Sequence, residues 1–428
     1  EQSKQHHEKS ICFVTGVPGA GKTLVGLNIA NERHQYDEQE HAVFLSGNGP
    51  LVAVLREALA RDEIKRFKGK ITKTASKRKV AAFIQNIHHF RDAYLPPSEQ
   101  VPAEKVAIFD EAQRAWTKEQ TAKFMLKRHV PGWNMSEPEF LISVMDRHQD
   151  WTVIICLIGG GQEIHTGEAG LLAWFDALRD HFPDWNVYVS PQISDVEYTH
   201  GKPLEHLFTG LRLYREPNLH LSVSLRSFRN ERVSAFVKSL LDENLPVAQQ
   251  LYSELSPNYP ITITRSLEKA QEWIRAQARG TERYGLIASS GAKRLRQFGI
   301  WVQSNIQAEN WFLNDKEDIR SSYFLEDTAT EFDIQGLEID WAIVAWDADY
   351  RIEKGHFKAY NFTGSSWKTV CKKDAQLYLK NTYRVLLTRA RQGFVIFIPE
   401  GCDADLTRQS SFYDGIYYYL KKIGMKEL

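Results

Sequence analysis

Short continuous apolar runs recur along the chain, each stopped by a glycine-rich or polar turn and followed by a segment with apolar residues at helical spacing. In the first half these runs are Ile11-Cys12-Phe13-Val14, His41–Ser46, Val106–Phe109 and Trp151–Ile158; in the second they are Tyr284–Ser290, Trp341–Trp346 and Phe394–Ile398. Runs without polar alternation belong to strands buried on both faces, which is the habit of parallel sheets covered by helices. The segments Leu24–Ala30 and Leu51–Leu59 supply such helices. The pattern therefore predicts an α/β fold with parallel sheets.

A chain of 428 residues exceeds the size at which one core usually stops growing, so two lobes are expected. Ser194 to Glu216 is polar and irregular and carries Gly201-Lys202-Pro203, which places a linker at 194–216 between lobes 1–193 and 217–428. Trp151–Ile158, the longest apolar run, is far too short to cross a bilayer, so no membrane partner is expected. Cys12, Cys156, Cys371 and Cys402 lie far apart with no C-x-x-C pair, which argues against zinc or a disulfide framework and favours a cytoplasmic home. Residue 1 is Glu and a strand starts almost at once, which leads to the expectation that the chain is the C-terminal part of a longer protein.

Charge is balanced, with 54 basic and 54 acidic residues, so a nucleic-acid surface would have to be a local patch. Between Arg61 and Lys79 nine Lys/Arg face only Asp62 and Glu63. Such a run is either a solvated face or an arm that contacts phosphates. Of the tryptophans, Trp116, Trp174, Trp301, Trp311 and Trp367 are possible stacking platforms for bases, with core packing as the default. His88-His89 shows no metal spacing.

The first chemistry-bearing stretch is Gly16-Val17-Pro18-Gly19-Ala20-Gly21-Lys22-Thr23, set between a strand and a helix. Its glycines let backbone N–H groups face phosphates while the following helix turns its positive end towards them. Gly16, Gly19, Ala20 and Gly21 would cradle the nucleotide, Lys22 would reach the β- and γ-phosphates, and Thr23 would ligate Mg²⁺. The apolar run ending at Phe109 then delivers Asp110 and Glu111. Adjacent strand residues point in different directions, so Asp110 is expected to hold Mg²⁺ and Glu111 to activate the attacking water. After Trp151–Ile158 come three glycines and Gln162, an amide suited to sensing the γ-phosphate or water.

In this order, the P-loop, the Asp-Glu-Ala-Gln box and the Gly-rich loop ending in Gln162 resemble motifs I, II and III of superfamily 1 helicases. More narrowly, the chain resembles a bacterial group of P-loop proteins related to the helicase-like domain of Schlafen proteins. His220–Ser227 is similar to motif IV, Thr330–Glu338 to motif V and Tyr383–Arg391 to motif VI, so that the resemblance spans about residues 11 to 398. It implies two tandem RecA-like lobes with an ATP cleft between them, ATP and Mg²⁺ as cofactors, and Arg226 and Arg389 as arginine fingers. It also implies nucleotide contacts at Gly336 and Glu338, and single-stranded DNA or RNA bound along the inter-lobe surface and segment 61–79.

Two departures from the motifs bear on function. An Asp usually follows the first Gly of motif III, where this chain has only glycine, and motif V usually has His where Phe332 stands. Both positions couple ATP state to the nucleic-acid track, so the resemblance implies ATP hydrolysis more strongly than strand unwinding. Two function classes follow: an ATP-driven motor on DNA or RNA, or a P-loop ATPase switch that regulates a fused or associated effector such as a nuclease domain.

Overall fold

Each apolar run named above becomes a parallel strand. The structure, a computed structural model, describes residues 1–17, 19–36, 41–159, 170–194, 208–223 and 228–428. The chain divides into two units, Glu1–Arg226 and Ser227–Leu428.

The first unit holds β1 (Lys9–Gly16), β2 (His41–Ser46), β3 (Ile84–Asn86), β4 (Glu104–Asp110), β5 (Thr152–Leu157), β6 (Asn186–Val189), β7 (Arg212–Arg215) and β8 (His220–Leu221). Its helices are α1 (Gln2–His6), α2 (Lys22–Tyr36), α3 (Gly49–Arg66), α4 (Lys73–Phe83), α5 (Ile87–Ala93), α6 (Lys118–Lys127), α7 (Glu137–Met145) and α8 (Gly170–His181). The strands run in the order β3-β2-β4-β5-β1-β6-β7, with β8 beside the end of β1. All pairings are parallel. Alternate residues feed two cores: Phe13, Val43, Phe109 and Ile154 lie in one, and Val14, Phe44, Ile108 and Leu157 in the other. Burial on both faces is why these strands lack polar alternation. The order also sets β4, β5 and β1 side by side, so the turns after three neighbouring strands carry Asp110-Glu111, Gly159 and the P-loop.

The boundary between units falls later than the sequence suggests. The expected linker 194–216 and second lobe from 217 are corrected, because β7 pairs with β6 and β8 with β1, and the first unit runs to Arg226. Arg212-Leu213-Tyr214-Arg215 reads as linker because it is a short, charged edge strand, the form in which sheet edges are kept from pairing further. Tyr214 stacks on Tyr188 at 4.9 Å.

The basic segment 61–79 forms the end of α3 and the start of α4, and much of its charge is neutralised within the fold. Glu57, 3 % exposed, gathers Arg61, Lys73 and Lys77 at 2.7, 2.8 and 2.7 Å. Lys79 pairs with Glu63 at 2.7 Å, and Arg66 pairs with Asp62. Burial would push the Glu57 carboxyl up, but hydrogen bonds from Lys73, Lys77 and Arg61 outweigh it and hold the group down at about 2. Lys65, Lys68, Lys70 and Arg78 make no ion pair among the described residues.

The second unit holds β9 (Ile261–Thr264), β10 (Tyr284–Ala288), β11 (Thr328–Ala329), β12 (Ile339–Ala345), β13 (Tyr350–Glu353), β14 (His356–Thr363), β15 (Ser366–Thr369), β16 (Ala390–Phe397) and β17 (Lys426–Glu427). A parallel sheet runs β11-β10-β12-β16-β9-β17, and β13-β14-β15 form a separate antiparallel sheet after β12. Beyond β12 lies a knot of buried carboxyls. Asp349 accepts from Ser289 Oγ at 2.6 Å and Tyr383 OH at 2.5 Å, Asp347 accepts from Tyr413 OH at 3.0 Å, and Glu331 accepts from Ser290 Oγ at 2.7 Å. Burial, then the neighbouring Asp347, pushes the Asp349 carboxyl up to about 7, with Glu331 adding to the rise against the pull of Ser289 and Tyr383. Among the described residues no helix is long and apolar enough to cross a membrane.

Two outcomes follow for stability. Replacing Lys73 and Lys77 with Ala strips Glu57 of two partners and should cost on the order of 1–3 kcal/mol. Glu57→Gln in that background should recover part of the loss. Urea unfolding of the first unit reads this, and an unchanged midpoint would return both lysines to solvent. For Asp349, a raised folded-state pKa means its contribution is complete below the ordinary carboxylate value of about 4 and is lost as pH rises to about 7. The stability of the parent relative to Asp349→Asn should therefore fall between those limits and level off above them. Unfolding of both proteins at about pH 5 and about pH 8 measures the gap, and a gap that fails to shrink contradicts the assignment.

Candidate nucleotide-binding site

The P-loop owes its shape to glycines with different duties. Gly19 and Gly21 take φ of 77° and 83°, the left-handed region that lets successive N–H groups face one concavity. Gly16 is glycine for a steric reason: a Cβ there would fall 2.8 Å from Leu221, whose carbonyl accepts from Val17 N at 3.1 Å. Thus β8 closes over the root of the loop. Val25 N donates to Gly21 O at 2.9 Å to begin α2, whose amino end faces the loop.

Lys22 Nζ donates to the carbonyls of Gly16 at 2.8 Å and Val17 at 3.4 Å, which holds the ammonium across the loop. Thr23 Oγ1 donates to Asp110 Oδ1 at 3.1 Å, so the two expected Mg²⁺ ligands meet although they are 87 residues apart. Burial, then the Glu111 charge, pushes the Asp110 carboxyl up to about 7 against the pull of Thr23 and Lys22. A cation beside it would relieve that cost. Among the described residues no group of three His, Cys, Asp or Glu could hold a metal by itself. The pair does fit Mg²⁺, which takes few protein ligands and completes its shell with water and phosphate oxygens.

Glu111 leaves the strand in the left-handed region, φ 53°, which is costly for a residue with a side chain. Gln113 then bridges two strands' ends: its Nε2 donates to Glu111 Oε2 at 2.5 Å, and its Oε1 accepts from Gly159 N at 3.0 Å. A Cβ on Gly159 would lie 2.5 Å from Glu111 Oε2, so only glycine leaves room for the carboxylate. Trp174 Nε1 donates to Ala112 O at 2.9 Å and anchors the turn Ala112–Arg114 from below. Spacing alone does not reveal the roles of Gln113 and Gly159; the position of Gln113 in the Asp-Glu-Ala-Gln box is the only sequence sign of them.

Gly16, Gly19, Ala20, Gly21, Lys22, Thr23, Asp110 and Glu111 thus converge at the ends of β1 and β4. Gln162 and Arg226 lie outside the described residues. Gly336, Glu338 and Arg389 belong to the second unit. Gly336 takes φ 77°, and Glu338 accepts from Arg391 Nε at 3.2 Å. Arg389 is 2 % exposed, and its guanidinium donates to Val385 O at 3.2 Å and Thr388 Oγ1 at 3.4 Å. Of the possible stacking tryptophans, Trp174 and Trp311 are fully buried, Trp367 donates to Thr407 O at 2.8 Å, and Trp301 lies under the Arg296 guanidinium at 4.0 Å.

Two α/β units with parallel sheets, one carrying a P-loop beside an Asp-Glu box, are the RecA-like fold of a helicase-like P-loop NTPase. Residues 9–400 match the family described as Schlafen group 3, DNA/RNA helicase domain, and the chain belongs to that family. No curated protein matches it. Among solved structures, the Hef helicase domain of Pyrococcus furiosus is 11 % identical with 97 % of this chain and 96 % of that chain covered, at a TM-score of 0.29. Mss116p bound to ssRNA and AMP-PNP is 10 % identical, with 92 % and 67 % covered and a TM-score of 0.34. A DEAD box protein from Methanococcus jannaschii is 11 % identical, with 98 % and 88 % covered and a TM-score of 0.25. At such scores the family match carries the assignment.

The Gln113 bridge gives a direct test. Gly159→Ala and Gln113→Leu should each displace the Glu111 carboxylate and lower ATP turnover by about 10²-fold, with ATP binding retained. Turnover at the parent rate in both variants would remove Gln113 and Gly159 from the site.

Proposed function

We propose that this protein is a Mg²⁺-dependent ATPase of the superfamily 1 helicase type that acts on single-stranded DNA or RNA. The observation that carries the reading is the Thr23–Asp110 hydrogen bond next to a Glu111 carboxylate clamped by Gln113. In this reading the P-loop N–H groups and Lys22 bind the phosphates, and Thr23 with Asp110 holds Mg²⁺, which supplies positive charge at the β- and γ-phosphate oxygens. Glu111 orients the attacking water and takes its proton. Arg389, with Arg226, serves as an arginine finger that meets charge developing on the γ-phosphate, a role that requires Arg389 to exchange its bonds to Val385 and Thr388 for the substrate.

Nucleic acid as partner is supported by the family's description and by cations that the fold leaves unneutralised. Besides Lys65, Lys68, Lys70 and Arg78, the exposed lysines Lys354, Lys358, Lys368, Lys372 and Lys373 on and beside the β13-β14-β15 sheet make no ion pair among the described residues. Phosphate contact is the use such clusters suit. A second reading, an ATPase switch for a fused or associated effector domain, is favoured by Phe332, a 43 % exposed apolar residue where the helicase motif has His. The four cysteines are free thiols, which suits a reducing cytoplasm.

Steady-state ATP hydrolysis with and without single-stranded DNA or RNA separates the readings, since strong stimulation belongs to the motor and none to the switch. Lys22→Ala should abolish turnover, and Glu111→Gln should bind ATP without hydrolysing it. Arg389→Ala should lower kcat by about 10³-fold or more with ATP affinity much less affected, and Arg389→Lys should not restore it. Parent-rate hydrolysis by Glu111→Gln would remove the assigned base, and by Arg389→Ala the finger.

A further inference from the structure

Beside the first glycine of the P-loop, three chain segments meet at one hydroxyl. β6 lies along β1 as far as Phe13, which is opposite Val189. Where β6 leaves off, β8 takes its place, with Thr15 opposite His220 and Gly16 opposite Leu221. Thr15 Oγ1 stands 2.7 Å from the Oγ of Ser190, the residue that follows β6, and 2.9 Å from Nδ1 of His220 on β8. Thr15 and Ser190 are fully buried. The bonds run from Ser190 through Thr15 to a His220 that accepts at Nδ1, or in reverse from a His220 that donates there. In either tautomer the Thr15 hydroxyl gives its one proton and receives another.

β8 has only two residues, fewer than an ordinary strand, so a side-chain clasp at its first residue carries a large share of its hold on β1. What β8 holds is the root of the P-loop. Val17 N donates to Leu221 O at 3.1 Å, while Val17 O accepts from Ala20 N at 3.1 Å and from Lys22 Nζ at 3.4 Å. One peptide residue thus joins β8 on one side to an amide and an ammonium of the P-loop on the other.

We propose that His220 is a positioning residue for nucleotide binding. Through Thr15 it keeps β8 on the end of β1, and β8 in turn fixes Val17 and with it Ala20 N and Lys22. His220 has no part in the chemical step, and the inference rests on the reading that the P-loop binds ATP. A loop held in its binding shape before the ligand arrives binds more tightly, because less ordering is left to be done. Loss of the Nδ1 contact therefore falls on ATP affinity, while hydrolysis from the bound state is nearly kept.

The test is binding of a fluorescent ATP analogue together with steady-state hydrolysis. His220→Leu should weaken binding and raise KM by about five- to tenfold, with kcat within about twofold of the parent. His220→Asn, whose amide reaches the place of Nδ1, should bring binding back to within about twofold, whereas His220→Gln, whose amide reaches the place of Nε2, should not. Thr15→Val should show the same loss as His220→Leu, and the double variant no more than either, because the two side chains act through one contact. A merely structural role would lower the unfolding midpoint and leave the affinity of the folded protein unchanged. Parent affinity in His220→Leu, equal loss in the Asn and Gln variants, or losses that add in the double variant each overturn the inference and leave the P-loop as the ATP site. Should His220→Leu fail to fold, the contrast between Asn and Gln decides alone. A parent that binds no ATP overturns both the inference and the reading beneath it.

Discussion

The hydrogen bond from Thr23 to Asp110 is the contact on which the site depends. It ties the first turn of the P-loop helix to the end of β4, across the intervening β5, and it does so with a carboxylate that burial makes expensive to ionise. A buried carboxylate whose pKa stays raised despite a hydroxyl and a backbone N–H donor is poorly satisfied, and that deficit favours a divalent cation at this point. The neighbouring Glu111 follows in a left-handed backbone and has its carboxylate held by Gln113. The three-strand arrangement β4-β5-β1 makes all of this possible by bringing the three turns to one edge.

The segment from Asp110 to Trp116 faces two ways. Towards β5, Gln113 joins Glu111 to Gly159; on the other side, Arg114 and Trp116 border a cavity with His88 and Gln120. Trp174 supports both from beneath through its bond to Ala112 O.

In this neutral chain several acids are buried and settled by nearby cations or hydroxyls, although Arg351 and Arg389 are buried as well. Glu57 absorbs three of the cations in segment 61–79, Glu137 takes the fully buried Arg91 at 3.2 Å, and Asp347, Asp349 and Glu331 are met by hydroxyls rather than by charge. Exposed lysines with no ion pair among the described residues lie on and beside the β13-β14-β15 sheet as well as in segment 61–79. A basic run in sequence is therefore a poor guide to a basic surface, because the compensating acid can come from an earlier turn of the chain, as Glu57 does here.

The apolar runs determined seven of the parallel strands and the α/β class, and short motifs determined the P-loop with Asp110 and Glu111, because these follow from local burial and from residues close together in the chain. The same local logic failed for 208–221, where short strands have the composition of a linker until the pairing of β7 with β6 and of β8 with β1 is known. Only the tertiary structure decided that Gly16 must be glycine for Leu221, that Gly159 must be glycine for Glu111, and that Gln113 joins two strand ends. The physical reason is common to all three. Each depends on a steric or hydrogen-bonded contact between residues on different turns or strands, and such contacts leave no periodicity along the chain.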